Sequence, residues 1–349
     1  MQICFDMTTK VPNILLIYTG GTIGMVKNYK TNALAAFNFD QIKKKIPELH
    51  LLDCDIHTIS FDKPIDSSNM SPEYWIQIAE IIEKYYEETD GFVVLSGTDT
   101  MSYTASAISF MFENLDKPVI FTGSQLPIGD LRTDAKENLI TAIQIAAIRE
   151  NGHSKISEVC LYFEYRLYRA NRTTKVSAEQ FEAFHSPNYP QLGESGVHLI
   201  FNDNALISRS KKKDLIISKN FDANIVILKI FPGISEQVVK CILEIPNLKG
   251  VILETYGAGN APTVIWFKDL IKEAIDRRIH IVNVTQCISG SVMLGHYETS
   301  NHLKEIGIIN GKDITTESAV AKLKYLIGER IPFKKFKKAF ETPIRGEMS

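Results

Sequence analysis

Two apolar runs that stop at glycine-rich hydroxyl turns constrain this chain more than any other feature. Asn13-Ile14-Leu15-Leu16-Ile17-Tyr18 runs into Thr19-Gly20-Gly21-Thr22-Ile23-Gly24, and Phe92-Val93-Val94-Leu95 runs into Ser96-Gly97-Thr98-Asp99-Thr100. Short β-branched runs closed by glycine predict buried strands that enter tight turns. Open α/β sheets bind ligands just beyond the carboxyl ends of such strands. Two strand ends that both present hydroxyls, one beside Asp99, predict a site for attack on an acyl group.

The rest of the chain alternates in the same way. Strands are predicted at 15–18, 92–95, 118–122, 159–163, 225–231, 250–255 and 280–284. Helices are predicted at 72–86, 102–114, 133–148, 235–243, 263–277 and 317–326. Pro72 after Ser71 marks a helix start. Leu139, Ala142, Ile143, Ala146 and Ala147 share one helical face. Such alternation argues for parallel sheets covered by helices. The rhythm breaks around 201–221, at Asn202-Asp203-Asn204 and a lysine run. The expected architecture is therefore two α/β domains with mostly parallel sheets, the site lying at the carboxyl ends of the N-terminal-domain strands. An N-terminal catalytic domain is expected over 1–205, a linker over 206–222 and a smaller C-terminal domain over 223–349. Strand after strand ends in a hydroxyl or amide: Thr19, Ser96, Thr122-Gly123-Ser124-Gln125 and Thr285-Gln286. Turn formation alone explains such residues, but their recurrence predicts one shared polar cleft.

Composition excludes several classes of function. With 349 residues the chain exceeds one small core. A net charge of -2 gives no electrostatic reason to expect nucleic acid or an acidic membrane. The lysine runs at 43–45, 211–213 and 334–338 read as solvated local patches. Five cysteines (Cys4, Cys54, Cys160, Cys241 and Cys287) form no CxxC pair. Cys54, Cys160 and Cys241 lie in apolar or strand-like runs, which suits buried, reduced thiols in a reducing compartment. No secretory signal and no apolar stretch of about 20 residues is evident, so a cytoplasmic location is expected. The scattered histidines lack HExxH or Cys/His spacing, and neither GxxxxGK[ST], GxGxxG nor GxSxG stands after the first strand or at the candidate turns. No metal and no cofactor is expected.

A threonine hydroxyl needs a neighbouring base to become a nucleophile. Tyr29 lies in a polar stretch, Lys27-Asn28-Tyr29-Lys30-Thr31-Asn32, that reads as a loop over the site. Asp99 neighbours Thr98. Lys175 closes Asn171-Arg172-Thr173-Thr174-Lys175, a run without helix or strand periodicity, and a lysine among hydroxyls can serve as a base. Each has a plainer reading: a tight turn or phosphate nest for the Thr-Gly-Gly, a packing tyrosine, a solvated lysine.

Taken in register, these segments resemble the signatures of the L-asparaginase family, in its cytoplasmic type I branch. Thr19-Gly20-Gly21-Thr22-Ile23-Gly24, Gly97-Thr98-Asp99-Thr100-Met101 and Asn171-Arg172-Thr173-Thr174-Lys175 carry the resemblance. Asp66-Ser67-Ser68-Asn69-Met70-Ser71-Pro72, Thr122–Pro127, Tyr256–Pro262 and Thr285-Gln286-Cys287 extend it over nearly the whole chain. The resemblance implies hydrolysis of L-asparagine to L-aspartate and ammonia, with a weak L-glutaminase side activity. Thr19 would attack the carboxamide with Tyr29 as its base, and Thr98, Lys175 and Asp99 would form a second catalytic set. It also implies substrate contacts at Ser67, Ser68, Thr98, Asp99 and Asn260. Asn260 would come from a neighbouring protomer in a homodimer or dimer-of-dimers tetramer. Ser68 stands where the secreted branch usually has glutamine, and Asn69 where many type I sequences have aspartate. A second, regulatory asparagine site would lie near Gln125, Thr174 and Cys287. Bacterial members with that site carry arginine where this chain has Glu254, so activation by asparagine is expected to be weak or absent.

Two other classes compete with this reading. A tRNA-dependent amidotransferase subunit resembling the family would bring a further N-terminal domain, and only about 13 residues precede the first strand. An amino-acid sensor without turnover would have lost Thr19, Thr98, Asp99 or Lys175, and all four are present.

Overall fold

The computed structural model describes residues 11–27, 34–36, 46–208, 213–222, 224–295 and 298–349. The first apolar run forms β1, Asn13–Gly20, with every residue after Asn13 buried. Its side chains alternate between two cores, as a strand covered on both faces requires. Leu15 and Ile17 enter one cluster with Trp75, Ile78 and Ile108, and Ile14, Leu16 and Tyr18 enter another with Leu139, Ala142 and Ile143.

The large sheet continues with β2 (Asp55–Ile65), β3 (Gly91–Leu95), β4 (Val119–Thr122), β5 (Val159–Phe163), β6 (Arg166–Arg169), β7 (Gly193–Ser195) and β8 (Leu199–Phe201). Its order is β8-β7-β6-β5-β4-β3-β1-β2. The pairings β2–β1, β1–β3, β3–β4 and β4–β5 are parallel. This part therefore has the doubly wound order 2-1-3-4-5, whose winding reverses between β1 and β3. Helices α1 (Pro72–Tyr85), α2 (Met101–Met111) and α3 (Ala135–Ala147) cover it.

The sheet is mostly parallel, as the sequence predicts, and beyond β5 it continues antiparallel through β6, β7 and β8. Glu164 and Tyr165 make the β5–β6 turn with φ of 43° and 67°, the left-handed pair that a two-residue hairpin requires. Neither residue is a usual turn former there, so the hairpin left no mark in the sequence.

A second, parallel sheet has the order β9-β10-β11-β12: Ile225–Lys229, Gly250–Thr255, His280–Thr285 and Ile309–Asn310. On one face α4 (Glu236–Leu243) and α5 (Ile265–Asp276) bury Val239, Leu243, Phe267 and Ile271. After α6 (Glu298–Glu305), α7 (Thr316–Gly328) and α8 (Phe333–Glu341) cover the other face through Leu323, Phe336 and Phe340. The 334–338 lysine run is thus one face of α8, an amphipathic helix. Lys213 is exposed, whereas Lys43–Lys45, Lys211 and Lys212 lie outside the described residues. Phe110 of α2 stacks on Tyr325 of α7 at 6.1 Å, joining the two layers.

Cys160, Cys241 and Cys287 are free thiols. Cys160 is buried and Cys54 half-buried, but Cys241 is exposed, against expectation. It lies on the outer side of α4, where its Sγ accepts from Gln237 Nε2 at 3.3 Å; Cys4 lies outside the described residues. Among the described residues no helix is long and apolar enough to cross a membrane, and no cluster of His, Cys, Asp or Glu suits a metal.

Candidate active site

The crevice at the β1/β3 reversal is floored by glycines packed without spare volume. Gly20 and Gly21 have φ of +136° and +88°, which L side chains avoid. A methyl group on Gly20 would lie 2.1 Å from Ile65 O, and one on Gly21 would lie 2.4 Å from Gly97 Cα. One on Gly97 would lie 2.5 Å from Ser67 Oγ. The turns after β1, β2 and β3 therefore meet in one contact. Thr100 Oγ1 adds a 2.8 Å hydrogen bond to Ser67 O.

Over this floor the structure assembles Thr98, Asp99 and Lys175. Lys175 Nζ donates to Thr98 Oγ1 at 2.8 Å and to Asp99 Oδ1 at 2.7 Å. The Asp99 side chain is 68% exposed and that of Lys175 16%, so one partner faces solvent and the other is screened from it. Thr98–Thr100 lead into α2, whose first-turn N–H groups have no intrahelical acceptors and favour negative charge. Thr19 is 1% exposed, and its Oγ1 donates to Leu95 O on β3 at 3.0 Å.

Gln125 belongs to this cluster. Its Oε1 accepts from Thr98 Oγ1 at 3.4 Å, and its Nε2 donates to Gln180 O at 3.0 Å. The Asp134 carboxylate accepts the N–H groups of Gln125 and Leu126 at 2.9 and 3.1 Å and the Asn138 amide at 3.2 Å. Burial raises the Asp134 carboxyl above its ordinary range, against those backbone N–H groups. Sequence reasoning missed Asp134. Its position just before α3 signals a helix cap, yet its carboxylate serves the turn after β4 instead.

The remaining candidates have different places. Tyr29 falls outside the described residues. Ser67 is buried at the floor, whereas Ser68 is exposed and turned to Asp66 Oδ1 at 2.9 Å. Asn260 sits beyond β10, exchanging backbone hydrogen bonds with Tyr256. Thr174 and Cys287 line a separate cavity of about 240 Å³ with Glu254, Gln286 and Glu317. Thr174 Oγ1 donates to Glu317, whose carboxyl is raised by burial and by Glu254.

The single polar cleft expected from the strand ends is therefore not what the chain builds. Thr122 Oγ1 donates to Tyr162 O at 2.8 Å, Ser96 Oγ to Gly97 O at 3.2 Å and Ser124 Oγ to Leu126 O at 2.6 Å. Thr285 and Gln286 end a strand of the other sheet. Most of these hydroxyls close turns.

Comparison with known proteins is consistent along the chain. The family model for the N-terminal part of asparaginase matches residues 13–206, and that for the glutaminase/asparaginase C-terminal domain matches residues 224–340. L-asparaginase 1 of Escherichia coli K12 is 44% identical over 97% of this chain and 98% of its own length. A 60 kDa lysophospholipase of Mus musculus is 38% identical over 96% of this chain, which spans 62% of that protein. The crystal structure of L-asparaginase I from Vibrio cholerae superposes with a TM-score of 0.89 at 39% identity, covering 97% of this chain and all of that one.

Proposed function

Because this chain belongs to the asparaginase family, we propose that it is an L-asparagine amidohydrolase, producing L-aspartate and ammonia. The observation that carries this reading is Lys175 Nζ bound to both Thr98 Oγ1 and Asp99 Oδ1 above the locked glycine turns.

In the proposed reaction Thr19 Oγ attacks the side-chain carboxamide carbon, and Tyr29 takes the hydroxyl proton. Backbone N–H groups at the glycine turns stabilise the tetrahedral oxyanion, each such donor being worth about 10²–10³ in rate. The intermediate expels ammonia after protonation of its nitrogen and leaves an ester on Thr19. Water, activated by Thr98 with Lys175 and Asp99, then hydrolyses the ester and restores the threonine. The exposed Asp99 carboxylate suits the substrate ammonium, and Ser67 with Ser68 the α-carboxylate. Glutamine has one methylene more, worth about 1–3 kcal/mol of discrimination, which leaves room for a weak glutaminase activity. We place the catalytic domain at 1–205, a linker at 206–222 and a C-terminal domain at 223–349, in a cytoplasmic homodimer or tetramer whose neighbouring protomer supplies Asn260.

The cavity beside Thr174 and Cys287 bears on regulation. Glu254 and Glu317 both line it, and two carboxylates disfavour an effector that brings a third. The rate curve for asparagine should therefore be hyperbolic. A sigmoidal curve made hyperbolic by substituting Thr174 or Cys287 would refute this.

The primary test is ammonia release from L-asparagine and L-glutamine by the wild type, Thr19→Ala and Thr98→Ala. Asparagine turnover that collapses in Thr19→Ala supports the reaction and its nucleophile. Turnover that survives moves the nucleophile to Thr98, and no turnover on either amide rejects the reading.

A further inference from the structure

The bend that delivers Lys175 to the site rests on a remote part of the chain. Between β6 and Lys175, Asn171 and Arg172 are 1% and 2% exposed. Asn171 Nδ2 donates to Arg345 O at 3.0 Å, Arg172 Nε to Gly346 O at 2.7 Å and Arg169 Nη1 to Gly346 O at 3.4 Å. Buried donors have no water to fall back on, so these acceptors fix where the bend lies.

The accepting turn is itself held from within. The Glu347 carboxylate, 0% exposed, accepts the N–H groups of Ile344 and Arg345 at 3.1 and 2.8 Å. It also pairs with Lys322 of α7, which is equally buried and donates to Phe340 O and Thr342 O. Arg345 Nε donates to Phe112 O, next to the end of α2, at 2.7 Å. Asp313 links both sides, accepting from Arg172 Nη1 and from the Ser349 N–H at 2.7 Å each. Gly346 has φ of +72°, and a methyl group there would stand 2.6 Å from Arg169 Nη1 and 2.9 Å from its Cζ. Arg169 cannot easily yield, because its buried side chain pairs with Glu158.

We propose that the Ile344–Glu347 turn is a template for the catalytic lysine, with Gly346 and Glu347 as positioning residues. By presenting the carbonyls of Arg345 and Gly346 to Asn171 and Arg172, it sets the depth at which Lys175 Nζ meets Thr98 and Asp99. From Arg172 to Lys175 only Thr173 and Thr174 intervene. Thr173 is 0% exposed, with its hydroxyl bound to Ala170 O at 2.7 Å, so a shift at Gly346 has little slack to dissipate in. This rests on the reading of Lys175 as a catalytic group in asparagine hydrolysis.

The test is steady-state L-asparagine hydrolysis by the full chain carrying Gly346→Ala, with Lys175→Met alongside. Misplacement of a reacting group by about 1 Å can cost up to 10²-fold. Gly346→Ala should lower kcat about 10-fold while KM stays within about twofold and the protein still melts cooperatively. Retained activity in Lys175→Met would reject the catalytic reading of Lys175, independently of the turn. With Lys175→Met inactive, an unchanged kcat in Gly346→Ala overturns the template, as does a raised KM at constant kcat. Should Gly346→Ala fail to fold, Arg172→Lys is read by the same criteria. It keeps a cation for Asp313 and loses the Nε donor to Gly346.

Discussion

In the first sheet a strand-end hydroxyl, that of Thr98, receives a hydrogen bond from Lys175 on a different element. In the second sheet the equivalent groups are spent on neighbouring strands and the turns that follow them. Thr255 Oγ1 donates to Asn283 Oδ1 at 2.6 Å, Thr285 Oγ1 to Gly257 O at 2.6 Å, and Gln286 Nε2 to Ile230 O and Glu254 O. The two sheets share a run of parallel strands and the same residue types at their strand ends. What separates them is a charged group brought in from outside the sheet. On the proposed reading, a strand-end hydroxyl takes part in the reaction when a third element brings a charged group to it, and otherwise it ties strands and turns together.

The largest test of that contrast is on turnover. Lys175→Met and Thr98→Val should each lower kcat by about 10²–10⁴, the range of positioned acid–base groups, with melting temperatures little changed. Thr255→Val should do the reverse. Its turnover should persist, while the orphaned Asn283 Oδ1 lowers stability by about 1–3 kcal/mol in urea titration. If Thr255→Val abolished turnover in a stable protein, the contrast between the sheets would be broken.

Breaking the buried Lys322–Glu347 pair should show that the second region's charged groups hold structure. Glu347→Gln leaves Lys322 uncompensated and should cost about 3–5 kcal/mol, whereas Lys322→Met with Glu347→Gln should recover part of the loss, because the amide oxygen still accepts the N–H groups of the turn. Equal destabilisation in the single and double variants would show that packing, not the charge, sets the cost.

Smaller effects come from pH, with opposite signs in the two regions. Glu164, in the β5–β6 turn, is pushed up to about 7 by burial and then by Asp134, Glu137 and Glu182. Its unfolded value is 4.5, so its contribution is full below that value and is lost as pH rises through about 7. His280, at the start of β11 and stacked on Phe336, is pushed down from 6.5 to about 4 by burial. There the unfolded chain takes up protons first, so stability is lost as pH falls from 6.5 towards 4. Glu164→Gln should flatten the alkaline side of a melting-temperature profile and His280→Gln the acid side. A profile unchanged in both variants would remove these groups as its cause.

Much of this was legible in the sequence because burial writes itself into residue choice. β1 and β10 are largely apolar runs ending at glycine and threonine, β3 and β5 are short runs buried throughout, and α1 begins at its proline. β2 went unseen because it lies at the sheet edge, where Asp55, His57, Asp62 and Lys63 are exposed and interrupt the run. The antiparallel strands after β5 are too short for a pattern. Within the site, Thr98, Asp99 and Lys175 were visible as residue types, and the structure brings them together. The turn under Lys175 was invisible for a different reason. Its acceptors are the main-chain carbonyls of Arg345 and Gly346, and a carbonyl has no letter in a sequence.

The interlocked glycine floor also limits how such a site can change. With Gly20 against Ile65, Gly21 against Gly97 and Gly97 against Ser67, no added carbon fits without moving a backbone that three strands hold. Variation in substrate range must therefore accumulate in the walls and roof. An engineer randomising the pocket should leave these positions fixed and spend library diversity on the surrounding loops.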